Sequence, residues 1–173
     1  MTEHEFLAPE LTRYWRFYLI LESELETALR FVEPDPDNCD TFSLEFARQL
    51  LATCAHFETV AKLLCERQTG SRPEGIQRIR TALLQTSPGL TAWGTRFLPL
   101  NRRIAPFANW SDLDPPSWWT ACNKIKHDPA VNIRDATLSN ATSALLAAGL
   151  VTVRYLDTNA QPGRSRLFDL SAG

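Results

Sequence analysis

Residues 9–32 read PELTRYWRFYLILESELETALRFV, and their spacing decides the fold class. Leu11, Tyr14, Tyr18, Leu21, Leu25, Ala28 and Val32 recur at alternating steps of three and four, and Leu7 extends the series backward. That spacing puts every member on one side of a helix. Glu22, Glu24, Glu26 and Arg30 fall elsewhere around it, and Glu33-Pro34-Asp35-Pro36-Asp37-Asn38 supplies turn residues. A long helix is therefore expected over about residues 8–33.

Working outward, Phe46, Leu50, Cys54, Phe57, Ala61 and Leu64 form a second stripe that ends at Gln68-Thr69-Gly70. Asp40 or Thr41 would cap this helix, expected at about 42–68 and antiparallel to the first. Ile76, Ile79, Ala82 and Leu83 predict a shorter helix near 75–86, entered through Pro73-Glu74. Pro115-Pro116 opens another near 116–127, which Asp128-Pro129 closes. Leu138, Ala141, Leu145, Leu146, Gly149, Val153 and Leu156 mark a last helix at about 135–156, with Asp135 as its cap. Residues 90–109 have no helical period and read as a long irregular connection held by Trp93, Phe97 and Phe107. The expected architecture is all-α, an up-and-down bundle of four to five helices over 1–158, with a loosely ordered tail at 159–173.

The 173 residues suffice for one domain with a sizeable core, and 44% hydrophobic content with a net charge of −2 argues against disorder. The apolar runs, Phe17–Leu21 and Ala144–Val151 among them, are far short of the ~20 residues of a membrane span. The opening MTEHEFLAPE has neither a basic nor an apolar leader segment, so a cytoplasmic address is expected. Cys39, Cys54, Cys65 and Cys122 form no Cys-x-x-Cys pair and have no histidine at ligand spacing, which predicts free thiols. Glu-x-x-His pairs of the di-iron type are absent. We expect no metal and no cofactor. His56 and Glu58, two apart on one helix, point away from each other and form no compact site.

Charge is polarised along the chain. Residues 1–66 hold thirteen Asp/Glu against five Lys/Arg, whereas residues 67–134 hold ten Lys/Arg against four Asp/Glu. A basic middle segment attracts phosphate, although acidic and basic helices lying side by side give the same counts.

The chemistry is sought in Ser117–His127, SWWTACNKIKH. On a helical wheel Trp118, Ala121, Cys122 and Ile125 share an apolar face, while Thr120, Asn123 and His127 share the opposite one, flanked by Lys124 and Lys126. Such a grouping suits an anion. Imidazole moves protons near neutrality, an amide orients a phosphate or hydroxyl, and ammonium groups stabilise developing negative charge. The set would support RNA cleavage by its own 2′-hydroxyl without a metal. Against it stands a plain reading: cations and histidines are favoured in the last turn of any helix. The two tryptophans are expected to pack rather than to stack on bases.

The run P-x-W-W-x-x-x-N-x-x-K-H (Pro116, Trp118, Trp119, Asn123, Lys126, His127), preceded by two long helices and a basic connection and followed by an Ala/Leu-rich helix, resembles the HEPN superfamily. The likeness spans residues 5–157 loosely and about a dozen residues specifically. It implies a helical bundle that commonly dimerises, works in bacterial defence, toxin or stress systems, and in many members cleaves RNA without metal. Homodimerisation and an antitoxin or other partner protein are implied with it. The family motif pairs an Arg, usually followed by a polar residue, with a His four to six positions on. Asn123 and His127 would be the catalytic pair, and Lys124, Lys126, Arg134, Arg102 and Arg103 the RNA or phosphate contacts, with Arg96 beside them. Cys122 stands at the Arg position and has no positive fork to offer a phosphate. The alternative is a noncatalytic dimerisation or protein-interaction module that has lost that Arg.

Overall fold

The computed structural model describes residues 9–156 and 165–170. Leu7 and most of the 159–173 tail lie outside them. Six α-helices and one small hairpin make up the described fold: α1 (Pro9–Ala28), α2 (Leu44–Thr69), α3 (Ile76–Thr86), β1 (Thr95–Phe97), β2 (Arg102–Ile104), α4 (Ser117–His127), α5 (Pro129–Asn132) and α6 (Leu138–Leu156). The fold class is all-α, as the periodicities require. No described helix is long and apolar enough to cross a membrane.

The centre of the bundle is the α2–α6 contact, with α1 and α4 against both helices. The α2 stripe Phe46, Leu50, Cys54, Phe57, Ala61 and Leu64 is wholly buried, as are Tyr18, Leu21, Leu25 and Ala28 of α1. Helix α6 is covered almost all round between Ala144 and Thr152. Val151, which favours strand locally, stays helical within a fully buried stretch. Gly149 lets Tyr18 of α1 approach so closely that an added Cβ would lie 3.0 Å from its ring.

Several helix entries differ from expectation. Helix α2 is capped by Ser43, whose hydroxyl accepts from the Phe46 amide at 3.0 Å, rather than by Asp40 or Thr41. The preceding segment is tied to the start of α6: the Leu138 amide donates to the Thr41 carbonyl (2.9 Å) and Ser139 to Cys39 (3.0 Å). Asp135 does not cap α6. Thr137 accepts from the Asn140 amide at 3.1 Å, while Asp135 sits in a preceding 3-10 turn. Gly75 begins α3, and Glu74 instead reaches Lys62 at 2.7 Å. Asp128 closes α4 and caps the single turn α5, accepting from the Val131 amide at 3.2 Å.

The connection at 90–109 is not wholly irregular. β1 and β2 pair antiparallel, Thr95 with Ile104 and Phe97 with Arg102, around a turn in which Asn101 takes a positive φ of 48°. A short side-chain amide tolerates that conformation better than most residues. Nor is the described part of the tail loose. Leu167 and Phe168 are buried, Phe168 bridges to Phe97, and the Leu98 amide donates to Leu167 at 2.8 Å. Glu22 of α1 anchors this piece: its buried carboxylate accepts from the Arg166 amide (3.0 Å), the Leu167 amide (3.3 Å) and the Ser165 hydroxyl. Beyond the hairpin, Phe107 and Trp110 pack into the core, and Arg80 holds the Trp110 carbonyl at 3.1 Å while pairing with Asp112.

Candidate functional site

Helix α4 divides as its wheel predicts. Trp118, Ala121, Cys122 and Ile125 are buried, and Thr120, Lys124, Lys126 and His127 are exposed with Asn123 half-buried. Both tryptophans pack edge-on against Phe57, at 5.0 and 6.1 Å between ring centroids, and Trp118 Nε1 donates to the Pro106 carbonyl at 2.8 Å. This anchoring turns the Asn123–His127 face outward.

On that face the imidazole of His127 lies one turn beyond Asn123, with no hydrogen bond or ion pair to any described residue. Lys126 is likewise without an ion pair among the described residues. Lys124 pairs with Asp135 at 3.2 Å, and its carbonyl accepts from the Asp128 amide and the Asn132 side chain, both at 3.0 Å. Arg134 has its guanidinium over the Phe42 ring, 5.2 Å from the centroid, a cation–π contact.

Cys122, at the position of the family's Arg, points to α2. Its thiol is held below the usual range by a hydrogen bond with Cys54 and by the Lys126 charge, against burial, whereas burial drives the Cys54 thiol up. The position is thus committed to the α2–α4 contact and presents no cation outward.

A second histidine, His56 of α2, is buried. Its Nε2 lies 3.1 Å from Thr152 Oγ1, and Tyr14 and Phe17 of α1 cover its ring at 6.4 and 5.3 Å. Desolvation pushes its pKa down to about 4. The ring is a neutral core group, buried more deeply than the spacing of His56 and Glu58 alone shows.

Arg102 and Arg103 lie elsewhere. They line a cavity of about 370 Å³ between the hairpin, the opening of α4 and the first turns of α6. The cavity meets α4 at Pro116–Trp118, ten residues before His127 and so about 15 Å away along the helix axis. One chain therefore does not gather both sets into one cleft. Arg96, next to the cavity-lining Phe97 on β1, is exposed. The cavity also recruits Ser117, Ser139, Thr142 and Ser143, which the sequence reading did not single out. Their signal was available: Ser139, Thr142 and Ser143 stand at i, i+3 and i+4, a polar seam in an otherwise Ala/Leu-rich helix. Among the described residues no three His, Cys, Asp or Glu side chains converge as metal ligands.

No family model, no curated protein and no solved structure matches this chain.

Proposed function

We propose that this chain is a HEPN-like helical domain of a bacterial defence, toxin or stress system, engaging RNA or nucleotide through the outward face of α4 as a weak metal-independent endoribonuclease. The observation that carries this reading is the exposed, uncommitted imidazole of His127 with Asn123 one turn back and Lys126 beside it. In the proposed reaction neutral His127 takes the proton of a ribose 2′-hydroxyl. That oxygen then attacks the adjacent phosphorus and the 5′-oxygen leaves with a proton from solvent or from a second imidazole, giving a 2′,3′-cyclic phosphate and a 5′-hydroxyl. Asn123 orients the phosphate, and Lys126 and Lys124 face its charge, Lys124 after exchanging Asp135 for the ligand.

Cys122 supplies no guanidinium to the transition state. Loss of one such donor slows a reaction by on the order of 10²–10³, which is why the proposed turnover is weak. The test is incubation of purified protein with RNA in chelator, comparing wild type with His127→Ala. Cleavage that disappears in the variant, with unchanged circular dichroism, is the expected result. Cleavage persisting in the variant removes the mechanism.

A second reading is a noncatalytic dimerisation or partner-binding module. It draws on Phe17 and Ile20, three apart on α1 and 46% and 55% exposed, and on the buried Cys122. Small-angle scattering that gives a monomer, with no change on substituting both residues by Ser, counts against it.

A further inference from the structure

Two of the four cysteines, Cys54 of α2 and Cys122 of α4, meet where those helices pack, and the His127 reading uses neither. Phe57, three residues beyond Cys54, packs edge-on against Trp118, four residues before Cys122, at 5.0 Å between ring centroids. One turn from that contact, back along α2 and onward along α4, the Cys54 thiol donates a hydrogen bond to the Cys122 sulfur. Both side chains are buried. Hydrogen-bonded sulfurs are already in contact, the arrangement from which a disulfide closes to an S–S bond of about 2.05 Å.

The other two thiols are engaged elsewhere: Cys39 donates to the Asp35 carbonyl at 3.7 Å and Cys65 to the Ile79 carbonyl at 3.8 Å. Cys65 also lies about 16 Å from Cys54 along the axis of α2 and cannot bridge to it. The two sulfurs of the pair differ in character. The Cys54 hydrogen bond, helped by the charge of Lys126 one turn on, holds the Cys122 thiol below its usual range against burial. Glu58, the weakest influence on Cys122, opposes this and is itself paired with Lys62 at 3.0 Å. Burial pushes the Cys54 thiol well up. The thiolate is the form that attacks an oxidant, so Cys122 is the nucleophile and Cys54 the resolving thiol that still holds its proton. Cys122 is also the more accessible, at 6% exposed against 2%.

We infer that Cys54 and Cys122 form a site of reversible oxidative modification, which a hydroperoxide closes to an intrachain disulfide. The Cys122 thiolate attacks a peroxide oxygen: the S–O bond forms, the O–O bond breaks, and the departing alkoxide or hydroxide takes a proton from solvent. The sulfur, now two electrons poorer, is a sulfenic acid. The Cys54 sulfur then attacks it, the S–S bond forming as the S–O bond breaks, and the oxygen leaves as water with the Cys54 proton. In sum, two thiols and one hydroperoxide give one disulfide, one water, and the alcohol or second water of the peroxide. The bond ties α4 to α2 next to Asn123. In reducing compartments, disulfides are characteristically of this transient, redox-sensing kind.

The test is treatment of the reduced full chain with hydrogen peroxide, followed by thiol titration in denaturant and a non-reducing peptide map. Titratable thiols should fall from four to two, the intact mass should drop by two hydrogens, one peptide pair should join Cys54 to Cys122, and dithiothreitol should reverse all three. Cys122→Ser should slow thiol loss at least tenfold. Cys54→Ser should react as fast as wild type but stop at a sulfenic acid that dimedone captures. Oxidation should raise the melting temperature of wild type, because the bond constrains the unfolded chain between residues 54 and 122. A fall would mean that the thiols are not aligned for bonding, and overturns the inference. So do four thiols surviving a peroxide excess that oxidises free cysteine, a bond between two chains, or oxidation of Cys122 to a sulfinic acid with no bond formed. His127→Ala should oxidise as wild type does, so the cysteine pair and the α4 outer face stand or fall separately.

Discussion

His56 provides a pH-dependent stability whose size and sign follow from its surroundings. The Thr152 hydroxyl donates to the Ala148 carbonyl at 2.6 Å, so toward His56 it acts as acceptor and the ring carries its proton on Nε2. The other nitrogen, Nδ1, then has no proton, and a second proton there creates a buried cation beside Tyr14 and Phe17. Burial lowers the native pKa to about 4, against an ordinary value near 6.5 in the unfolded chain. The unfolded state therefore binds the proton first as pH falls. Stability is full above about pH 6.5 and is lost progressively down to about 4. At about 1.36 kcal/mol per pKa unit, the loss reaches about 2 kcal/mol at pH 5 and about 3 kcal/mol below the native pKa. The assay is urea unfolding at pH 7.5 and 5.0 for wild type and His56→Gln, whose side-chain amide keeps a donor for Thr152 but does not titrate. Wild type should lose about 2 kcal/mol more than the variant between the two pH values. Equal losses would refute the reasoning, because His56 would then be protonated equally in both states. The same result bears on function: a rate that changes with pH between 6 and 7 while the fold remains intact does not originate in His56.

Glu22→Ala should cost about 3 kcal/mol, since it strands the Arg166 and Leu167 amides and two hydroxyls that share one buried carboxylate. Hydrogen exchange should show those two amides losing protection before the α2 and α6 amides do; full protection in the variant contradicts that anchoring. Gly149→Ala sets a helix-propensity gain of about 1 kcal/mol against overpacking of about 1–3 kcal/mol. Tyr18 is fully buried and stacked on Trp15 at 5.0 Å, so it has little freedom to retreat, and a lowered melting temperature is expected. A raised one would mean that α1 and α6 separate easily.

Much of the helical frame is legible because burial and periodicity are the same fact seen twice. The α2 stripe was readable residue by residue, and so were the two faces of α4. Some helix caps were not, because long-range pairing decides them: Ser43 replaces Thr41 as the cap where the Thr41 carbonyl is claimed by Leu138, about a hundred residues on. The hairpin was invisible for a different reason. Three-residue strands carry no period, and its turn relies on Asn101 rather than an Asn-Gly pair. Leu167 and Phe168 looked like a loose end since their partner, Phe97, lay in a segment with no assigned structure. For the candidate site, the sequence displayed which residues share α4. It had no means of showing that Arg102 and Arg103 belong to the other end of that helix.

That separation decides what each end of α4 is suited to. The opening of the helix borders a cavity of about 370 Å³. The closing turn has no enclosure. Lys124, Lys126 and His127 stand exposed where the helix end is negative, a location that favours them electrostatically even without a ligand. A chain running over the surface meets them readily, and a small anion finds nothing to hold it against solvent. On the proposed reading, phosphate chemistry on a polymer would take place at the His127 end. Trp118 and Trp119 clamp α4 onto Phe57, so the two ends of the helix keep a fixed spacing relative to the core.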